Sequence, residues 1–293
     1  MAADDGPIEL PDGRTVGYAD YGASHQTAVL WCHGGPGSRL EAQALGPAAR
    51  DAGLRIIGID RPGYGRSTPR PGRDIASWVP DALAVVDHLG IDRFVTVGVS
   101  TGGAYALALA SKSERVLGSV ACCALTDMRW AEGKAAMLRD GGQIAQIWNA
   151  RSREAALAAA IEAFGPDGAK LMTQVGSGPA LPAADVALFS NPEWLAGMLG
   201  AFPAMFAHGV QGYVDDRLAD GPGWGSFDVA AIRCPVVVLH GGADTIVPVA
   251  QAHYTAKLVP GATLRIVAEL GHFSIAQEVV GAVRALLVRR PRD

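Results

Sequence analysis

Six short apolar runs, separated by helical patterns, constrain the fold of this chain more than any other feature. The runs are rich in β-branched residues and are nearly continuous in apolar residues, which is typical of parallel strands covered on both faces. They lie at 27–33, 54–60, 93–99, 116–125, 235–241 and 262–268. Because helical patterns alternate with these runs, the sequence predicts an α/β fold with a mostly parallel sheet.

The N-terminal segment and one long interval depart from this alternation. Residues 8–22 have the pattern of an antiparallel hairpin whose turn lies at Pro11-Asp12-Gly13. Residues 126–225 hold no convincing strand, but they hold helical patterns rich in Ala, Leu and Met, for example at 135–150 and 153–165. We therefore expect a helical insertion between two strands of the sheet.

The charge balance argues against a nucleic-acid partner. Lys and Arg number 25 and Asp and Glu number 29, which gives a formal net charge of −4. A nucleic-acid-binding protein needs a surplus of basic side chains to neutralise phosphates. Aromatic residues make up only 6% of the chain, so base stacking is also disfavoured.

Several features together favour a cytoplasmic protein without a membrane partner. The first residues, MAADDGPIEL, include two acids and no apolar run, unlike a secretory signal or a transit peptide. No uncharged apolar stretch reaches the ~18 residues of a membrane-spanning helix. The four cysteines lack CxxC or Cys/His ligand spacing and are typical of buried thiols in a reducing compartment: Cys32, Cys122, Cys123 and Cys234. We also find no metal-ligand cluster, phosphate loop or dinucleotide fingerprint, and expect no cofactor.

The sequence GVSTG at 98–102 follows a predicted strand and precedes a predicted helix. This is the context in which the G-x-S-x-G pattern forms a sharp turn that exposes a nucleophilic serine. Gly98 and Gly102 have no side chains, so strand and helix can approach closely. Ser100 is therefore the predicted nucleophile.

A glycine-rich loop, HGGPGS at 33–38, directly follows another predicted strand. Glycines allow a backbone to approach a ligand closely and to direct N–H groups at a developing oxyanion. We expect the N–H of Gly35 to be one oxyanion donor and the N–H of Thr101, at a helix N-terminus, to be the other. His33 is expected to be structural.

Two further residues, Asp244 and His272, follow the last two predicted strands. A serine hydroxyl needs a base, and that base needs an acid that fixes its tautomer. The order Ser100, Asp244, His272 is the order used by one large fold. Asp127, which follows the 116–125 run, is the alternative acid.

These motifs, as they stand in this chain, resemble those of the α/β-hydrolase superfamily: HGGPGS, DRPGYGRS (60–67), GVSTGG, GGADTIVP and GHF. Within it, the chain resembles the branch of proline iminopeptidases, epoxide hydrolases, esterases and cofactor-free haloperoxidases. The resemblance implies an eight-stranded, mostly parallel sheet with a helical cap inserted after the sixth strand. The expected division is a core of 1–125 and 226–293 and a cap of 126–225.

The resemblance implies a serine hydrolase that cleaves a small, largely apolar ester or related acyl compound. Epoxide hydrolases use Asp as the nucleophile, whereas this chain has Ser100. Proline iminopeptidases usually carry Trp after the nucleophile, whereas this chain has Thr101, so an aminopeptidase is the second reading. That reading would use cap acids to hold an amino terminus, with these candidates: Glu132, Glu154, Glu162, Asp185 and Glu193. A third reading is a ligand-binding or acyl-transfer protein; the natural substrate and the oligomeric state stay open.

Overall fold

A computed structural model describes residues 4–22, 26–138, 143–174 and 181–288. The strands of the described ranges are β1 (Asp4–Glu9), β2 (Thr15–Asp20), β3 (Thr27–Cys32), β4 (Leu54–Ile59), β5 (Phe94–Val99), β6 (Val116–Cys122), β7 (Ala207–Val210), β8 (Val236–Gly241) and β9 (Thr263–Val267). Eight of them form one sheet, with the strand order β1-β2-β4-β3-β5-β6-β8-β9. The six apolar runs of the sequence thus become the six strands from β3 to β9 other than β7.

The sheet is antiparallel at one edge and parallel over the rest. β1 and β2 form the expected hairpin, and β2 pairs antiparallel with β4. The pairs from β4 through β3, β5, β6 and β8 to β9 are all parallel. The expected mostly parallel α/β sheet is therefore confirmed.

Helices cover both faces of the sheet, which explains why its central strands are apolar throughout. One face packs Leu30 and Phe94 against Trp78 and Tyr105, and the other face packs residues such as Val97 against helical side chains. The helices are α1 (Gly46–Asp51), α2 (Val79–His88), α3 (Gly102–Lys112), α4 (Ala131–Met137), α5 (Gln143–Trp148), α6 (Arg153–Phe164), α7 (Ala169–Gln174), α8 (Ala183–Phe189), α9 (Pro192–Met205), α10 (Gln211–Asp220), α11 (Ala250–Leu258) and α12 (Val279–Val288). Within the described ranges, no helix is long and apolar enough to cross a membrane.

Helices α4 to α10 lie between β6 and β8, and we call residues 126–225 the inserted segment. Part of it has an apolar cluster of its own, which includes Ile147, Phe164, Phe206 and Val214. The expectation that the interval holds no strand is wrong, because β7 lies within it. This strand has only four residues, one of them β-branched, so it leaves no apolar run of the kind that marks the other strands.

The carboxyl ends of the parallel strands bring distant parts of the sequence to one edge of the sheet. The loop 33–38 leaves β3, Ser100 follows β5, and Cys123 follows β6. Asp244 and His272 lie in the loops after β8 and β9. Every residue that the motifs predict to be catalytic therefore lies at this edge.

Candidate active site

Ser100 lies in a tight turn between β5 and α3 and has a φ of 51°, in the left-handed region. Its N–H donates a hydrogen bond to the carbonyl oxygen of Cys122, at 3.0 Å. A Cβ atom on Gly98 would clash with the backbone of Gly102, and one on Gly102 would clash with the carbonyl oxygen of Cys32. Only glycine fits at these two positions, and the strained turn presents the serine at the sheet edge.

Asp244 and His272 are in direct contact. Oδ2 of Asp244 lies 2.8 Å from Nδ1 of His272, and Nε2 of His240 lies 3.3 Å from the same oxygen. The N–H groups of Ile246 and Val247 donate to Oδ1, each at 2.8 Å. Burial alone would raise the pKa of Asp244, but hydrogen bonds from the two histidines outweigh it and hold the pKa below its usual range. Asp244 is therefore an ionised acceptor beside the imidazole.

The same contact changes the basicity of His272. Burial acts to lower the pKa of His272, but the nearby sulfur of Cys123 and the carboxylate of Asp244 raise it above its usual value. The pKa of the Cys123 thiol is itself raised well above its usual value by a hydrogen bond to Cys122 and by burial. The thiol is then neutral near pH 7, so Asp244 is the partner that makes His272 a stronger base.

His33 orders the glycine-rich loop. Its Nε2 accepts a hydrogen bond from the N–H of Arg61, at 3.1 Å. Since Nε2 is an acceptor, Nδ1 carries the proton and donates to the carbonyl oxygen of Gly34, at 2.7 Å. Burial and the charge of Arg61 hold the pKa of His33 well below its usual value. His33 is therefore a neutral side chain bonded on both nitrogens within the loop.

The loop brings Gly35 against Thr101, beside Ser100. A Cβ atom on Gly35 would lie 2.7 Å from Oγ1 of Thr101, and one on Gly34 would lie 3.8 Å from Cβ of Ser100. Thr101 lies at the N-terminus of α3, directly after Ser100. The two residues expected to supply oxyanion donors thus lie next to each other and to the serine.

Glu41 is a residue of this site that the motifs missed. The N–H of Gly34 donates to Oε2 of Glu41, at 2.9 Å. A Cβ atom on Gly34 would lie 3.7 Å from Oε2 of Glu41 and 3.8 Å from Cβ of Ser100. Burial raises the pKa of Glu41 to about 7. The only sequence signal was its position shortly after the HGGPGS loop.

The candidate acids other than Asp244 have different partners. Asp127 accepts hydrogen bonds from the side chain of Arg129, at 2.9 Å, and from the N–H of Trp224, at 3.0 Å. Asp185 is buried and accepts from the N–H and the hydroxyl of Ser274, at 2.8 and 2.6 Å. Asp185 thus holds the loop that follows His272. The other four acids suggested for an amino terminus are exposed at the surface: Glu132, Glu154, Glu162 and Glu193.

The profile of the alpha/beta hydrolase fold family matches residues 27–279, which is most of the chain. The chain belongs to the alpha/beta hydrolase fold family. The resemblance of the motifs to the α/β-hydrolase superfamily is therefore confirmed, and so is the predicted α/β-hydrolase fold.

This alpha/beta hydrolase is similar to proteins of several activities, over most of the chain or over part of it. It is 29% identical over 282 residues to a non-heme haloperoxidase of Rhodococcus erythropolis, which covers 90% of this chain and 92% of that protein. Over 112 residues, or 36% of this chain and 34% of the relative, it is 35% identical to a probable proline iminopeptidase of Streptomyces coelicolor. A thermophilic esterase of Thermogutta terrifontis has the same fold, with a TM-score of 0.69 and 22% identity over 98% of this chain and 99% of that one. These relatives support a hydrolase that acts on a small molecule.

Proposed function

We propose that this alpha/beta hydrolase is a serine hydrolase that cleaves a small, largely apolar ester or related acyl compound. Ser100 is the nucleophile, His272 the general base and Asp244 the acid that holds the base. The observation that carries the proposal is the 2.8 Å contact between Asp244 and His272, at the sheet edge where Ser100 adopts its strained turn. The N–H groups of Gly35 and Thr101 serve as oxyanion donors.

The reaction proceeds through an acyl-enzyme. Because Nδ1 of His272 faces Asp244, Nε2 takes the hydroxyl proton as Oγ of Ser100 attacks the substrate carbonyl carbon. Negative charge develops on the carbonyl oxygen, where the two N–H groups stabilise it. His272 passes the proton to the leaving alcohol as the ester C–O bond breaks. Water then attacks the acyl carbon, gives its proton to His272, and releases the acid while the proton returns to Ser100.

An aromatic group next to the base supports an apolar substrate. The ring of Phe273 contacts that of His272, with centroids 5.4 Å apart, and also that of Phe189, with centroids 5.0 Å apart. Phe189 further contacts Trp194, which lies on α9 of the inserted segment. We infer that the inserted segment acts as a cap and that these rings line the apolar side of the cleft.

Glu41 favours a second candidate, an aminopeptidase. A free amino terminus needs a carboxylate near the nucleophile, and Glu41 lies near Ser100 whereas four of the five acids suggested from the sequence are exposed. The local similarity to a proline iminopeptidase points in the same direction. A ligand-binding or acyl-transfer protein would keep the same side chains, so product analysis must accompany any rate measurement.

Labelling with a fluorophosphonate, read by intact mass, tests the proposal. We expect one label per wild-type chain, none on Ser100→Ala, and turnover of short-chain p-nitrophenyl esters. Faster turnover of proline p-nitroanilide would favour the aminopeptidase. Ester products formed only when an alcohol acceptor is added would favour acyl transfer. Folded wild-type protein that takes no label would refute a serine hydrolase.

A further inference from the structure

Asp216, on helix α10 of the inserted segment, is fully buried. It contacts Arg61, the residue that binds the glycine-rich loop 33–38. Asp216 accepts from Nε and Nη2 of Arg61, at 3.1 and 2.7 Å. It also accepts from Nη2 of Arg73, at 2.5 Å, and from the hydroxyls of Tyr64 and Tyr105, at 2.7 and 3.1 Å. Burial would raise the pKa of Asp216, but the charges of Arg61 and Arg73 hold it far below its usual range. Asp216 is therefore ionised and fixes the guanidinium of Arg61 from several sides.

Arg61 in turn binds two consecutive peptide groups of the loop. Its Nη1 donates to the carbonyl oxygen of His33, and its Nη2 donates to that of Gly34, at 2.7 Å. The Gly34–Gly35 peptide is trans, so its C=O and N–H point in opposite directions. Holding the oxygen of Gly34 towards Arg61 therefore directs the N–H of Gly35 away from Arg61. This N–H is the first proposed oxyanion donor.

The next residue of α10, Arg217, holds the second proposed donor. Its Nη2 donates to Oγ1 of Thr101 and forms an ion pair of 2.6 Å with Asp220. Its guanidinium is stacked near the rings of Trp148 and Tyr213, at 5.1 and 5.0 Å from their centroids. Arg217 is buried and its own position is therefore fixed by charge and by aromatic packing. By binding the hydroxyl of Thr101, Arg217 restrains the residue whose N–H is the second proposed oxyanion donor.

We propose that helix α10 orients both oxyanion donors, with Asp216 acting through Arg61 on the Gly34–Gly35 peptide and Arg217 acting on Thr101. Both are positioning residues. Buried ion pairs contribute little net stability because desolvation offsets their attraction, whereas donors that are preorganised before the reaction lower its barrier. The inference rests on the proposed function and makes the catalytic rate depend on the docking of the inserted segment.

Two adjacent aspartates of α10 provide a matched test. Asp215 pairs with Arg153 of α6 within the inserted segment, at 2.7 and 3.0 Å, whereas Asp216 faces the loop. We expect Asp216→Asn to lower kcat by ~10-fold or more, within the roughly 10²–10³-fold effect of losing a whole oxyanion donor. KM should change by less than about threefold, because the donors act mainly in the transition state. Asp215→Asn should lower the melting temperature and leave kcat within about twofold.

Rates are counted per phosphonate-reactive site, so that unfolded protein does not contribute. Inhibition by a boronic acid, whose adduct with Ser100 mimics the tetrahedral oxyanion, should weaken in Asp216→Asn by about the same factor as kcat/KM. Equal kcat per site in the wild type and Asp216→Asn, or equal losses in the two aspartate variants, would overturn the proposal.

A second set of variants keeps the test open if Asp216→Asn does not fold. Thr101→Val removes the hydroxyl and keeps the N–H, and Arg217→Met removes its donor. If Arg217 acts through Thr101, the double variant should have the kcat of Arg217→Met alone, whereas independent effects would multiply. Multiplying effects would overturn the role of Arg217. Wild-type protein that takes no phosphonate label would overturn the proposed function, whereas labelled wild type with unaltered variants refutes only the role of α10.

Discussion

The pH dependence of Asp244→Asn tests the proposed site most directly, because the contact with His272 makes two separate predictions. The substitution leaves the size of the side chain unchanged but removes its charge, and it favours the wrong tautomer of His272. We expect kcat to fall by roughly 10⁴-fold, the size of this effect in other triads. The charge also raises the pKa of His272, so its loss should lower that pKa.

The size of the pKa shift follows from the geometry. An opposite charge in direct contact changes a pKa by about one to three units, which corresponds to about 1.4–4 kcal/mol. His272 must be neutral to act as a base, so kcat/KM of the wild type rises as the pH passes the raised pKa. In Asp244→Asn, this acid limb should move to lower pH by about one to three units, although the maximum rate is much lower.

Residual activity of the variants should be followed with an activated p-nitrophenyl ester from pH 4 to 10, corrected for hydrolysis by buffer. Asp127→Asn is the matched control, because Asp127 is also buried and ionised but pairs with Arg129. It should leave the acid limb in place. An unshifted limb in Asp244→Asn, or a larger loss of kcat in Asp127→Asn, would refute the assignment of the acid.

Three further predictions concern individual residues. Ser100→Ala should lower ester turnover by roughly 10⁴-fold or more and abolish phosphonate labelling. Folding favours protonated Glu41, because burial raises its pKa from 4.5 to about 7. The stability of the wild type should therefore fall as the pH rises through this range. Thermal unfolding of Glu41→Gln from pH 4 to 8 should lack that fall. Gly102→Ala forces a Cβ against the carbonyl oxygen of Cys32 and should lower the free energy of unfolding by about 1–3 kcal/mol. Gly197→Ala, within helix α9, has open space for the Cβ and should raise the free energy of unfolding by about 0.4–1 kcal/mol, both measured in urea.

Each of these three has a result that contradicts it. Turnover of Ser100→Ala within tenfold of the wild type would exclude Ser100 as the nucleophile. An unchanged pH profile of unfolding in Glu41→Gln would mean that this carboxyl is not the group that titrates. Equal stabilities of the Gly102→Ala and Gly197→Ala variants would mean that a Cβ at the close approach of α3 to β3 costs nothing.

Local patterns in the sequence predicted most of the fold. The apolar runs end within a few residues of the observed strands, because a parallel strand buried on both faces leaves a continuous apolar signature. The helix predicted to follow GVSTG is α3. Asp244 and His272 could be placed because each lies in the short loop that follows a strand, three residues after β8 and five residues after β9, and these loops lie at the same sheet edge.

Contacts between distant segments left no such signature. Asp216 and Arg61 are 155 residues apart, and nothing in the periodicity of α10 distinguishes Asp216 from its neighbour Asp215. Asp185 is among the acids that the sequence suggests for binding an amino terminus, whereas the structure shows it bonded to Ser274. Glu41 enters the site because the chain turns back after HGGPGS into a short 3-10 helix, Arg39–Leu45. Partners of this kind depend on the completed packing of the chain.

The contact between the two ends of the inserted segment has an evolutionary consequence. Asp127 lies at its start and Trp224 near its end, and the N–H of Trp224 donates to Oδ1 of Asp127, at 3.0 Å, so the segment leaves the core and returns to it at adjacent points. A segment with adjacent ends can be exchanged for one of another length or shape without moving Ser100, Asp244 or His272. Selection could thus change the substrate while keeping the chemistry, provided that each replacement also supplies a buried acid for Arg61. The carboxylate of Asp216 would then be the feature that a grafted segment must reproduce.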